Sequence, residues 1–149
     1  MMENNQKENN QKENNQKENN QNQVDKEKIE KLVNDTLKSM DKYLPRLKNS
    51  MTVIAEKIQG EGEEREEGFK LLTKAIEGIT WCVDAVVALK KFGYLTEIDL
   101  ESANKVLREL EDALIKEQDF VLAADILEYE IEPVLSEWIG VVKKYVGDD

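Results

Sequence analysis

Residues 33–58 read VNDTLKSMDKYLPRLKNSMTVIAEKI, and their apolar residues recur at alternating steps of three and four. That spacing keeps side chains on one stripe of an α-helix. Three later segments repeat the pattern, so the chain predicts an all-α fold, an up-down-up-down antiparallel four-helix bundle. The four stripes are Val33, Leu37, Met40, Leu44, Leu47, Met51, Ile54 and Ile58; Phe69, Leu72, Ile76, Ile79, Val83 and Val86; Leu100, Ala103, Leu107, Leu110 and Leu114; and Phe120, Ala124, Leu127, Ile131, Val134, Trp138, Val141 and Tyr145.

A low-complexity tail precedes the predicted bundle. Residues 1–23 repeat the unit Glu-Asn-Asn-Gln-Lys, which buries little apolar surface, so we expect this tail to be disordered. Glutamate and lysine four residues apart in the first three copies favour at most a fluctuating helix; a fourth copy has Asn22 in place of the lysine. The bundle should occupy residues 24–149, with helices at about 25–58, 63–92, 97–117 and 119–146.

Local signals mark several helix ends and bends. Pro45 and Pro133 lie inside the first and fourth predicted helices and are expected to kink or break them. Gly93 is placed to end the second helix in a left-handed conformation. Thr96 with Asp99 resembles a capping box at the start of the third helix.

The composition excludes several classes of partner. The chain has 32 acidic and 21 basic residues and a net charge of −11, so it should repel nucleic acid and anionic membranes. No apolar run reaches the roughly 18 residues of a membrane span, and no secretory signal is visible. Cys82 is the only cysteine and is expected to be a small buried apolar residue. A reducing cytoplasm is the location that this composition favours.

Few residues could carry chemistry. The chain has no histidine, which removes the commonest general base and the usual zinc and di-iron ligand sets, and no cofactor is predicted. Asp125, Glu128 and Glu132 are spaced three and four apart, so they could share a helix face and offer oxygen ligands to magnesium or calcium. Acidic helix faces are usually solvated, so these three are weak candidates for a metal site.

An apolar second face on two helices is the most informative surface feature. The second and fourth predicted helices carry apolar and aromatic residues on their backs as well as on their core stripes, which a helix with one face in water should not do. Such patches often mark interfaces. The predicted interaction surface comprises Leu71, Trp81, Ala85, Ala88, Phe92, Leu122, Ile126, Tyr129 and Ile139.

The segment Leu127–Trp138, LEYEIEPVLSEW, with the preceding Val121–Asp125, VLAAD, resembles an uncharacterised family. That family consists of small helical proteins of unknown function from Gram-positive bacteria, some of them in motility gene clusters. The resemblance implies a bacterial cytoplasmic protein and a role beside flagellar export. It provides no catalytic residues.

The leading hypothesis is a non-enzymatic, acidic helical module that binds a partner protein or a second copy of itself. A sharper form is an export-chaperone-like role, in which the module shields an amphipathic helix of a secreted protein. Two alternatives remain open: a metal-dependent hydrolase that uses the carboxylates named above, and binding of a lipid or another small ligand inside a kinked bundle.

Overall fold

The computed structural model describes the backbone of residues 2–147 and the side chains of residues 16–147. All regular structure in these residues is helical, which confirms the all-α class. None of the described helices is long and apolar enough to cross a membrane. The helices are α1 (Met2–Ile58), α2 (Glu63–Lys91), α3 (Leu100–Ile115), α4 (Phe120–Ile126) and α5 (Glu132–Val146), with a π-helical turn at Leu127–Ile131 between α4 and α5.

The chain divides after Asp35 into two compact units. In the first unit α1 already begins at Met2, so the helix start predicted near residue 25 is wrong. We predict that residues 1–23 are disordered in solution. That statement concerns the fraction of molecules in which this segment is helical, and it stays a prediction.

In the second unit the core stripe of α1 is the one that the sequence predicts. Helix α1 continues through Pro45, so the predicted break does not occur there. Every stripe member from residue 37 to residue 58 is buried: Leu37, Met40, Leu44, Leu47, Met51, Ile54 and Ile58.

The buried face of α2 differs from its predicted stripe. The observed core residues are Leu72, Ala75, Ile79, Cys82, Val86 and Leu89. Ile76 is exposed, and Phe69 and Val83 are only half-buried. The small residues Ala75 and Cys82 face the core in their place, because a face of small side chains lets a neighbouring helix approach closely. Cys82 is buried, as predicted.

Side-chain caps and left-handed residues fix the corners around α3. Asp99, and not Thr96, caps α3, because its carboxylate accepts hydrogen bonds from the backbone N–H groups of Glu101 and Ser102. Gly93 has a φ of 85°, which confirms the predicted left-handed end of α2. Gln118 takes a φ of 50° in the short connection from α3 to α4.

The π-helical turn lies directly before Pro133. The N–H of Glu132 donates to the carbonyl of Leu127, five residues earlier, and Pro133 lies in the first turn of α5. Proline has no N–H and its ring crowds the preceding turn, so a wider turn accommodates it without ending the helix. The kink predicted at Pro133 is therefore a π turn inside a continuous helical segment. Helix α3 packs against both α4 and this turn.

Candidate functional site

A groove between α1 and α2 brings aromatic, apolar and charged side chains of the described residues together in one concave surface. It consists of two adjoining depressions of about 440 and 320 Å³, which share Tyr43 and Lys74. We call this feature the α1–α2 groove. Its lining residues are Ser39, Tyr43, Arg46, Leu47, Ser50, Val53 and Ile54 from α1, and Leu71, Lys74, Ala75, Glu77, Gly78 and Trp81 from α2.

Tyr43 lines the groove from α1 at the place where the two depressions meet. A Cβ atom built on Gly78 would clash with the Tyr43 hydroxyl and lie 2.8 Å from Cζ of that ring, so the tyrosine occupies space that only glycine leaves free. The Tyr43 ring also meets the Trp81 ring edge to face, with centroids 6.2 Å apart. These two contacts hold Tyr43 between the helices and orient Trp81 along the groove wall.

Both walls of the groove follow the spacing of a coiled-coil seam. One row of lining residues on α1 consists of Ser39, Tyr43, Arg46, Ser50 and Val53, and one row on α2 consists of Leu71, Lys74, Gly78 and Trp81, with Glu77 next to Gly78. Successive members of each row are three or four residues apart, so each row is a continuous stripe on its helix. Two parallel stripes with a trough between them are the shape into which a third helix packs.

The groove exposes apolar surface at both ends. Trp81 is 44% exposed in the first depression and Val53 is 45% exposed in the second, where Leu71 is half-buried. A large aromatic side chain in an open groove is the kind of residue that dominates binding at protein interfaces.

The titratable groups beneath the groove are held in their protonated forms. Burial raises the pKa of the Cys82 thiol to about 12. Burial raises the pKa of the Tyr43 phenol too, and the neighbouring Cys82 and Glu77 add to the effect. Neither group is therefore an activated nucleophile at neutral pH.

The predicted interaction residues on α2 follow the groove wall and extend beyond it. Leu71 and Trp81 line the groove. Ala85 is half-buried, Ala88 is exposed, and Phe92 is 52% exposed just after the end of α2.

The predicted interaction residues after α3 do not line the groove. Leu122 and Tyr129 are exposed, the latter to 72%, and Ile139 is half-buried. Ile126 is only 4% exposed, so the prediction that it belongs to the interaction surface is wrong. It lies on the buried face of α4 with Ala123 and Ala124.

Sequence reasoning missed the α1 wall of the groove. Its residues are polar or aromatic, so a search for apolar stripes passes over them. The available signal was their spacing, because Ser39, Tyr43, Arg46, Ser50 and Val53 lie one position before successive core residues of α1.

The three candidate metal ligands do not converge with other ligands. Asp125 is exposed, and Glu132 lies 3.9 Å from the Lys48 ammonium, with which it forms an ion pair. The π turn between Asp125 and Glu132 interrupts the 3.6-residue repeat on which their shared face depended. Among the described residues, no group of three or more Asp, Glu, Cys or His side chains is placed to hold a metal ion.

The interior has little room for a ligand where α2, α3 and α5 meet. The cavity lined by Ile79, Ala103, Leu107, Ile131 and Trp138, among others, measures about 10 Å³. That is at most the space of a single water molecule, so this cavity would have to expand to admit a lipid or another small ligand.

Comparisons with known proteins find one related family. The family model described as Domain of unknown function (DUF8042) matches residues 35–141. No curated protein matches the chain. No solved structure matches it either.

Proposed function

The chain belongs to the family Domain of unknown function (DUF8042), and we propose that it is a non-enzymatic, acidic helical module that binds an amphipathic helix of a partner protein in the α1–α2 groove. The observation that supports this proposal best is the groove itself, in which Trp81 of α2 is open to solvent and Tyr43 of α1 is held against Gly78 and Trp81. A bound helix would cover both aromatic rings and restore the burial that the free protein lacks.

The proposal extends to the setting of the protein. We propose that its helices alternate up and down, since short connections such as that between α3 and α4 favour antiparallel neighbours. A cytoplasmic location in a Gram-positive bacterium, and an export-chaperone-like role towards a secreted or flagellar helix, are the sharper form of the same hypothesis. A client that aggregates when expressed alone should then stay soluble when co-expressed with this protein.

The test measures binding of a defined helix. A leucine-striped amphipathic peptide of about 21 residues, or three heptads, with glutamine beside the stripe is titrated into the full-length protein by calorimetry. Replacement of Trp81 by glutamate should weaken binding by at least about tenfold, since it removes the main apolar contact and places a charge in the groove.

Val87→Glu is the matched control. Val87 is 40% exposed, close to the 44% of Trp81, and lies on α2 outside the groove lining. This variant should bind the peptide as the wild type does, and circular dichroism should show equal helix content in all three proteins. Binding that is unchanged by Trp81→Glu, or weakened equally by Val87→Glu, would refute the groove as the site.

The same samples test self-association. If light scattering shows a dimer that Trp81→Glu dissociates and Val87→Glu does not, the occupant of the groove is a second copy of the chain, and the proposed heterologous partner is wrong.

A further inference from the structure

The charge of the α1–α2 groove is opposite in sign to that of the chain. The protein has a net charge of −11, yet the charged residues that line the groove are Arg46 and Lys74 against Glu77 alone. Exposed Lys42 and Lys70 lie one helical turn before Arg46 and Lys74, respectively. Towards the two ends of α2, exposed Glu67 precedes Leu71 by one turn and exposed Asp84 follows Trp81, so the basic charge is concentrated around Arg46 and Lys74. The lining of the groove therefore carries a net charge of +1 on an acidic molecule.

The two lining cations are available to a partner. Of the carboxylates among the described side chains, none lies within ion-pair distance of Arg46 or Lys74; the ion pairs that form are Lys48–Glu132, Lys57–Glu67 and Lys116–Asp112. Arg46 and Lys74 also lie on opposite walls, so a helix in the trough would pass between them. A guanidinium in such a position can bind a carboxylate with two parallel hydrogen bonds.

We infer that the helix bound in the α1–α2 groove is acidic, with carboxylates on both flanks of its apolar stripe. This inference rests on the proposed function and specifies the partner. In packed helices the residues beside the apolar seam select the partner through their charges. At an ionic strength near 0.15 M the Debye length is about 8 Å, so most of the remaining acidic surface is screened while contacts within the groove are not.

The experiment compares three peptides that differ only beside the leucine stripe, where they carry glutamate, glutamine or lysine. Each is titrated into the full-length protein at an ionic strength of about 0.15 M. The glutamate peptide should bind at least about tenfold more tightly than the lysine peptide. The double substitution Arg46→Glu with Lys74→Glu should reverse that order.

A second double variant controls for total charge. Lys105 on α3 and Lys143 on α5 are exposed and do not line the groove, so Lys105→Glu with Lys143→Glu makes the chain more acidic by the same amount. It should leave the order of the three peptides unchanged.

The outcomes separate this inference from the proposed function. Equal binding of the three peptides, or preference for the lysine peptide, would overturn the acidic partner and leave the groove as a helix receptor. A preference that both double variants remove equally would assign the effect to the overall charge and also overturn the inference. No binding of any peptide would overturn the proposed function itself.

Discussion

Replacement of Gly78 by alanine should destabilise this protein, although alanine is the better helix former. Gly78 lies within α2, where alanine in place of glycine would ordinarily raise the free energy of unfolding by about 1 kcal/mol. The new Cβ would, however, clash with the Tyr43 hydroxyl and lie 2.8 Å from Cζ and 3.0 Å from Cε1. The steric conflict and the helix preference therefore oppose each other.

The balance of these two effects favours destabilisation. Overpacking of a close contact costs about 1–3 kcal/mol. Tyr43 could swing into the open groove instead, but it would then lose its edge contact with Trp81, worth about 0.5–1.5 kcal/mol, and expose more of its half-buried ring, which costs on the order of 1 kcal/mol. Subtracting the gain in helix preference leaves a net loss of about 1 kcal/mol in the free energy of unfolding.

A double-mutant cycle isolates the contact. In a Tyr43→Ala background the obstacle is gone, so Gly78→Ala should there raise the free energy of unfolding by about 1 kcal/mol, giving a coupling of about 2 kcal/mol. Gly140→Ala is the control, because a Cβ at Gly140 in α5 would meet no atom within 4 Å. It should stabilise the protein by about 1 kcal/mol in either background.

Urea denaturation followed by far-ultraviolet circular dichroism measures each free energy. Fluorescence gives a second readout, since displacement of Tyr43 would change the surroundings of Trp81. If Gly78→Ala stabilises the wild type and the Tyr43→Ala variant equally, Tyr43 does not occupy the space beside Gly78, and the described contact between α1 and α2 is wrong.

Four further predictions concern the rest of the chain. Asp99→Ala should lower the thermal midpoint at neutral pH, because hydrogen bonds from Ser102 and Glu101 hold the Asp99 pKa below its usual value. The stability that the Asp99 carboxylate contributes is present above the ordinary carboxyl pKa and is lost as the pH falls through the folded-state pKa. The melting curves of the two proteins should therefore converge in acid. A thiol reagent at about pH 8 should label Cys82 on the order of a thousandfold more slowly in the native protein than in denaturant, because burial raises its pKa to about 12; labelling at similar rates would contradict that burial. Gln118→Gly should raise the free energy of unfolding by about 0.5–1 kcal/mol, since Gln118 has a φ of 50°, and an unchanged or lower urea midpoint would show that its side chain stabilises the corner in another way. A synthetic peptide of residues 1–23 should be mostly non-helical by circular dichroism, and a strongly helical spectrum would reject the predicted disorder.

The groove shows where sequence reasoning stops. Trp81 and Leu71 could be selected because an apolar second stripe on one helix is visible in the sequence alone. Ser39 and Arg46 could not, since they become part of a binding surface only through the helix that lies beside them. Local spacing gives the direction of a side chain about its own helix axis, but not the neighbour that it meets.

Pro133, Ile126 and Ile76 also show that local spacing does not settle how a residue is placed in the folded protein. The sequence placed Pro133 inside a helix, and a proline there must disturb the backbone, but the spacing of the residues does not say whether the disturbance is a kink or a π turn. Ile126 and Ile76 are both apolar residues of amphipathic helices, yet Ile126 is buried and Ile76 exposed. Each lies near the edge of an apolar face, where a small rotation of the helix decides which side chain enters the core.

The sequence by itself determined the helical class and the buried stripe of α1, because the hydrophobic period and the burial that it requires are local properties of one chain segment. The rotation of α2 about its axis and the aromatic groove with its two cations were decided by the tertiary structure. Each of them arises from contacts between segments far apart in the chain, such as Tyr43 against Gly78, and no periodicity within a single helix encodes such a contact.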